Sequence, residues 1–347
     1  HSIIPTMKIL STLLVLLCCL VFTSRAQENI PLPGANLVVF HTGTTLLAVT
    51  YNEGIAIITS ADGSIVSTLK SSDSITVLAW SSDGKSLIFG CKDGSVRLWN
   101  TAEIKAQTFT PAKSAITALE WSPDGTQFVV GTAAGLLEQR DRQKGKTVRT
   151  LKGHTTGIAD IVWTKDELRS VDIQGAIIRW ESTTGTSLSA FQLPKPIITA
   201  AWSPNGSSLL SVDATSTIIQ NILTGTQTLL ATSTKAGIRS VSWNAHSTLV
   251  TTLDSSGKVI VWEAFSGAPF INANSVRESN AQSLAMINDL RIAVTNRKDV
   301  ILYDLTMVTD VPALLAAMPT LRVYPNPMLQ NGVIELSVAA PMYVHLS

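Results

Sequence analysis

Side chains able to do catalysis or bind metal are sparse and badly spaced for either. The five histidines, at positions 1, 41, 154, 246 and 345, include no pair at metal-ligand spacing. Of three cysteines, Cys18 and Cys19 lie in an apolar leader, so Cys91 alone would remain after processing, and no intramolecular disulfide or cysteine zinc site follows. Cys91 ends an apolar run beside Gly90 and reads as a buried, inert thiol. There is no phosphate-cradling glycine loop, nucleophile elbow or calcium-loop pattern of alternating acids. No residue is given a catalytic, metal-ligating or cofactor-binding role, and His154 is read as a structural hydrogen-bonding group. What remains is charge at regular spacing: Glu53, Asp93, Asp172, Asp213 and Asp254 in one series, Lys70, Lys113, Lys152, Lys195, Lys235 and Arg277 in another. Carboxylates gathered at one mouth would attract a cation or a basic segment, and a surrounding ring of cations would steer a partner.

The elements that must position these charges are set by an internal repeat. Tryptophans fall at 80, 121, 163, 202 and 243, spaced 41, 42, 39 and 41, and Phe40 extends the series backwards by another 40. Each marker closes an alternating strand-like segment and leads into a polar turn, such as Trp80-Ser81-Ser82-Asp83-Gly84, Trp121-Ser122-Pro123-Asp124-Gly125 or Trp202-Ser203-Pro204-Asn205-Gly206. A second apolar strand follows each turn. A third ends at Trp99, Trp180 or Trp262, with Arg140, Asn221 and Tyr303 near the matching point of other copies, and a short fourth completes the unit. Four strands per period of about 40 residues is one propeller blade. First strands at 40, 80, 121, 163, 202, 243 and near 284 predict an all-β, seven-bladed β-propeller over 36–305. Either Asn29 to Leu32, within the segment 27–35, or part of Met307 to Leu315 is available to complete the last blade. In this arrangement both charged series open on one face, the acids nearer the central channel.

The sequence resembles the WD-repeat family over this span. Gly153-His154, Trp163, Gly175 and Trp180 match that family's glycine-histidine start and strand-ending tryptophan. The resemblance implies a propeller, with its four-residue His, Ser or Thr, Asp, Trp network in the best-preserved blades. Asp93 with Trp99 lacks the His, and His154 with Trp180 reads as having Gln174 at the Asp position, so no blade is expected to carry the full set.

Composition agrees with β-structure: 36 Ser and 39 Thr carry much of the polarity, while charged residues are only 15%. Starting at Met7, Lys8 precedes the apolar run Ile9 to Phe22, and Ser24-Arg25-Ala26 supplies small residues before Gln27, so residues 1–26 read as a leader with a secretory signal peptide. Without Lys8 and Arg25 the chain has 24 bases against 25 acids, which leaves no electrostatic footprint for nucleic acid, and no later apolar stretch is long enough for a transmembrane helix. Beyond a linker at 306–321, Val323, Tyr324, Pro325, Asn326 and Pro327 and the alternating segments after them resemble the start of the type A sorting domain of type IX secretion substrates. Residues 322–347 are too few to close that domain's β-sandwich, and the coding sequence is expected to continue. This resemblance implies export through the outer membrane by the type IX translocon, to the cell surface or medium.

Two functions fit these readings. The preferred one is a noncatalytic secreted propeller that binds a protein or surface ligand on one face and needs no cofactor. The alternative is a propeller hydrolase, lactonase-like or glycan-cleaving, with a metal at the channel mouth.

Overall fold

Burial falls off along each repeat from its centre to its last strand, and this gradient dictates a stack of narrow sheets around an axis. Second strands are buried nearly throughout, because both of their faces are covered; Ser86–Cys91 and Leu249–Asp254 are buried at every position. Fourth strands are largely exposed, and Ser187–Gln192 is exposed at all six positions. The computed structural model describes residues 27–109, 111–165, 167–230, 237–271, 278–305, 321–324 and 333–336. Among them, seven four-stranded antiparallel sheets form the blades of a β-propeller.

Strand β1 (Gln27–Pro31) precedes the first blade, which is β2–β5 (Val38–Phe40, Leu46–Tyr51, Gly54–Thr59, Ile65–Lys70). Blade 2 is β6–β9 (Ile75–Trp80, Ser86–Cys91, Val96–Asn100, Gln107–Thr108) and blade 3 is β10–β13 (Ile116–Trp121, Gln127–Thr132, Leu137–Asp141, Thr147–Thr150). Blade 4 is β14–β17 (Ile158–Trp163, Glu167–Asp172, Ala176–Glu181, Ser187–Gln192) and blade 5 is β18–β21 (Thr199–Trp202, Ser208–Val212, Thr217–Asn221, Gln227–Leu230). Blade 6 is β22–β25 (Ile238–Trp243, Leu249–Asp254, Val259–Glu263, Pro269–Ile271). Blade 7 takes β26–β28 (Ser283–Asn288, Arg291–Thr295, Asp299–Asp304) from the end of the ring and β1 from its beginning. The first strands touch in sequence, β2 to β6 and onward to β26, and β26 touches β2, which closes the circle.

The marker residues are equivalent in three dimensions. Phe40, Trp80, Trp121, Trp163, Trp202 and Trp243 each pair with the second strand at the same register, opposite Leu47, Leu87, Phe128, Leu168, Leu209 and Val250. The hydrophobic cores lie between blades rather than within them. One cluster joins Ile88 and Val96 of blade 2 to Ile116, Trp121 and Phe128 of blade 3, and similar clusters fill the other interfaces.

Of the two segments available to finish blade 7, the N-terminal one does so. Gln27 lies opposite Tyr303 and Pro31 opposite Asp299 in an antiparallel ladder. The propeller therefore begins at the closing strand and not at residue 36. Arg291 reinforces the seam, pairing with Asp304 at 3.0 Å and Glu28 at 3.4 Å and donating to the Ser60 carbonyl of blade 1. Outside the propeller, β29 (Leu321–Tyr324) and β30 (Val333–Leu336) form a separate two-stranded antiparallel ladder. Residues 306–320, and with them most of the expected linker, lie outside the described residues, as do Pro325, Asn326 and Pro327.

Trp121 is 4% exposed and its indole N–H donates to the Ala79 carbonyl of the preceding blade at 3.1 Å. Replacing it by Ala removes packing from an interface shared by two blades, with an expected loss of about 3–5 kcal/mol. Denaturant melts check this, and a loss under about 1 kcal/mol would mean that the residue does not carry the interface.

Candidate binding face and the network behind it

The loops entering the blades and the turns between second and third strands share one face, because they hydrogen-bond to one another. Ser71 N donates to Glu53 O, Lys92 N to Ser74 O, Ala112 N to Gly94 O and Leu193 N to Gly175 O. On this face Lys70, Lys113, Lys152 and Lys195 are exposed, whereas Lys235 and Arg277 lie outside the described residues.

The acids differ in what they contact. Glu53 and Asp93 are exposed, and Asp93 accepts the Ser95 amide of its own turn at 2.9 Å, which holds its carboxyl below the usual range. Asp213 would be pushed up by burial, but hydrogen bonds from the Ser216 and Thr215 hydroxyls and amides outweigh it and hold the carboxyl at about 2. Lys195 Nζ stands 3.7 Å from Asp213 and 2.6 Å from the Thr215 hydroxyl. Asp254 is buried and caps the amides of Ser256 and Lys258. Turn capping accounts for most of the acidic series, since a short Asp side chain satisfies amides that a tight turn leaves unpaired. Among the described residues no three His, Cys, Asp or Glu side chains converge where a metal could sit.

Asp172 corrects the sequence reading most sharply. It is 2% exposed and faces inward, its Oδ2 lying 2.9 Å from His154 Nδ1. His154 Nε2 lies 2.7 Å from Ser170 Oγ, and the Trp180 indole N–H donates to the same Oγ at 2.8 Å. Burial lowers the His154 pKa, which favours the neutral ring. The network then has one consistent proton order: Trp180 N–H to Ser170 O, Ser170 O–H to His154 Nε2, and His154 Nδ1–H to the Asp172 carboxylate. Blade 4 thus joins a His, a Ser, a Trp and an acid in one network, with the acid supplied from outside the expected turn position. The acid is Asp172, at the end of the second strand, while Gln174 holds the turn position that Asp93 holds in blade 2, and Asp172 caps its amide. Gly153 makes the approach feasible, because a Cβ there would lie 2.7 Å from Ile178 Cδ1 and 3.1 Å from the Trp180 ring.

Other blades keep parts of this link with different chemistry. In blade 6 the Trp262 indole donates to Thr252 Oγ1 at 2.9 Å. In blade 2, Cys91 occupies the Asp172 position and is buried, which pushes its thiol pKa up, while Trp99 donates to the Glu103 carbonyl instead. Blade 7 substitutes a different set: Glu278 in the entering loop accepts from the Asn296 amide and from the Tyr303 hydroxyl. The sequence hint was the placement of Tyr303 at the tryptophan position; the role of Glu278 carried no comparable signal.

Two further acids went unnoticed in the sequence because they sit inside apolar inner strands, although a charge in such a strand is itself a signal. Glu120 on β10 and Asp160 on β14 are largely enclosed by protein, with a small remainder open to water. Asp160 Oδ2 accepts the Trp202 amide of the next blade at 2.7 Å. Burial pushes the Asp160 carboxyl up to about 7 against the pull of that amide. Burial, and then repulsion from Asp160, pushes Glu120 up to about 8.

The described residues therefore define a seven-bladed β-propeller with four-stranded blades and, in blade 4, a network of His154, Asp172, Ser170 and Trp180. Comparison with known proteins supports the same class: residues 40–195 match the model for the WDR19 first beta-propeller. The chain is also 33% identical over 126 residues to the SIR4-interacting protein SIF2 of Saccharomyces cerevisiae, a match covering 36% of this chain and 16% of that protein.

The carboxyl pair generates a pH prediction. Both groups lie above the ordinary carboxylate range, so between about pH 4 and pH 8 the folded chain holds protons that the unfolded chain has released, and stability falls as pH rises through that window. Thermal melts are expected to show a lower midpoint at about pH 8.5 than at about pH 5.5, with the difference reduced in Glu120→Gln. The same difference in wild type and Glu120→Gln would show that this carboxyl does not titrate in the folded interior.

Proposed function

We infer that this propeller is a noncatalytic binding platform for a protein partner, engaged through the face described above. The observation that carries this reading is an apolar pair among the exposed lysines. Ile173, in the blade 4 turn, and Ile198, entering blade 5, are 43% and 65% exposed, and their segments are joined by the Ile197 amide donating to the Ile173 carbonyl at 2.9 Å. Apolar anchors inside a charged rim are the usual layout of a protein-binding patch. Most acids of this face are spent on their own turns or on Lys195, so the cations left outermost favour a partner with an acidic segment. The His154 network stiffens the loop beside this pair, which lowers the entropy lost on binding.

For cellular context, the leader at 1–26 and the Val323 to Pro327 motif support a propeller exported by type IX secretion to the surface or medium. The test is a passenger bearing both the leader and a complete C-terminal domain. It should reach the surface of a type IX-competent host, and equal display without that domain would reject the route.

For the binding face, a partner captured by the immobilised chain should bind Ile198→Arg at least about tenfold more weakly. Joint reversal of Lys70, Lys113 and Lys152 to Glu should slow association and remove its salt dependence. Unchanged binding in both variants would place the partner elsewhere.

A further inference from the structure

The opposite face, built by the turns between first and second strands and between third and fourth, holds a cleft of about 420 Å³ at the junction of blades 3 and 4. Its lining is polar apart from Trp163 and Pro123, and it includes Gln127, Gln139, Asp124, Arg149 and Ser182. Gln139 is only 2% exposed. Its Nε2 is engaged by Gln127 Oε1 at 2.5 Å and Ser182 O at 3.5 Å, but its Oε1 is buried with no hydrogen-bond partner. A buried acceptor without a donor costs about 1–3 kcal/mol, so a site that leaves one open favours a ligand or water that donates to it.

The remaining groups narrow the chemistry of that ligand. Asp124 is held ionised by the Ser122 hydroxyl, the Thr126 amide and the Thr126 hydroxyl, and it offers acceptor capacity at the cleft wall. The Arg149 guanidinium, the natural anion-binding group, already donates to Ser182 O at 2.9 Å, and an incoming anion would also meet Asp124. Lys165 also lines the cleft and is exposed, so the buried open group is an acceptor while the rim supplies a donor, which suits a ligand rich in hydroxyls that can both donate and accept. Trp163 supplies a flat apolar wall: like its equivalent Trp80 it is half-buried, whereas Trp121, Trp202 and Trp243 are buried. An indole face beside convergent acceptors suits a ring with one C–H face and a rim of hydroxyls. The volume falls in the range of small-molecule sites, roughly 300–1,000 Å³.

We propose that this cleft binds a neutral saccharide unit, stacked on Trp163 with a hydroxyl donating to Gln139 Oε1. The site is independent of the protein-binding face and involves no bond breaking. The full chain would be titrated, by calorimetry and intrinsic tryptophan emission, with glucose, galactose, mannose, N-acetylglucosamine and their β-linked trisaccharides, with inorganic phosphate alongside. At least one saccharide should bind saturably with Kd below about 10 mM. Gln139→Met, which keeps the side-chain length but removes the acceptor, should weaken it at least about tenfold. Because a buried substitution can perturb folding, Thr183→Trp serves as the second variant: Thr183 is exposed at the cleft edge, and an indole there should block entry while leaving the melting temperature unchanged. Lys165→Ala, which removes only a rim donor, should weaken saccharide binding less than Gln139→Met does. Failure of every saccharide to bind overturns the proposal, as does saccharide binding that neither Gln139→Met nor Thr183→Trp weakens. Phosphate binding in place of saccharide, removed by Lys165→Ala, would make the cleft an anion site and overturn it equally.

Discussion

A closed ring of narrow sheets stands or falls on how closely its inner strands can approach. Here the approach is made by side chains that cross from one blade to the next. In blades 2, 3, 4 and 6 a bulge interrupts the pairing of the first two strands at the same place, just after Ile75, Ile116, Ile158 or Ile238. A bulge re-aims the extra residue. Thr117 thereby reaches the Ile158 carbonyl of the next blade at 2.7 Å, and Arg239 reaches the Ala281 carbonyl at 3.0 Å. Glycine completes the fit where the next blade presses hardest: a Cβ on Gly90 would lie 2.4 Å from Ile116 Cγ2, and one on Gly131 would lie 2.8 Å from Ile158. The interblade cores assemble outward from these contacts.

Blade 4 departs from its neighbours in holding more polar chemistry at depth. It has the complete His154 network on one side, Asp160 turned toward blade 5 on the inner strand, and Glu167 on the second strand paired with both Arg169 and Arg179. At the blade 5 junction the indole pattern also changes. Trp121 and Trp243 donate to carbonyls of the preceding blade, but the Trp202 indole N–H is buried without a partner, and its backbone amide goes to Asp160 instead. Buried polar groups are costly unless fully satisfied, so this sector trades stability for defined geometry more than any apolar interface does.

The fold was legible because its signal repeats. One tryptophan can lie anywhere, but five at a constant period, each followed by a turn-forming tetrad, fix blade number and strand order together. The site was less legible, because it depends on which way a side chain turns at a strand end. Asp172, Asp213 and Asp254 look alike in sequence and all cap their own turns, yet only the first also reaches a histidine from the preceding loop. Register puts Gln174 at the turn position that carries Asp93 in blade 2, and the acid comes instead from Asp172, two residues earlier, which only the direction of its side chain reveals. Glu120 and Asp160 were passed over because the apolar alternation around them was strong enough to identify the strands without them.

The ladder between Gln27–Pro31 and Asp299–Asp304 has a consequence for how the chain reaches its native state. Every other strand pairs with a neighbour a few residues away, so individual blades can zip up locally, each with a small loop-closure cost. The seventh blade must wait for the two most distant parts of the ring to meet, which places the largest entropic cost in the final step and makes closure slow relative to blade formation. Once made, the same pairing fastens the first and last blades to each other, so the ring cannot open by fraying from either terminus. Lifetime in the folded state is then governed by one strand of five residues, a kinetic lock whose strength is separable from that of the seven cores it encloses.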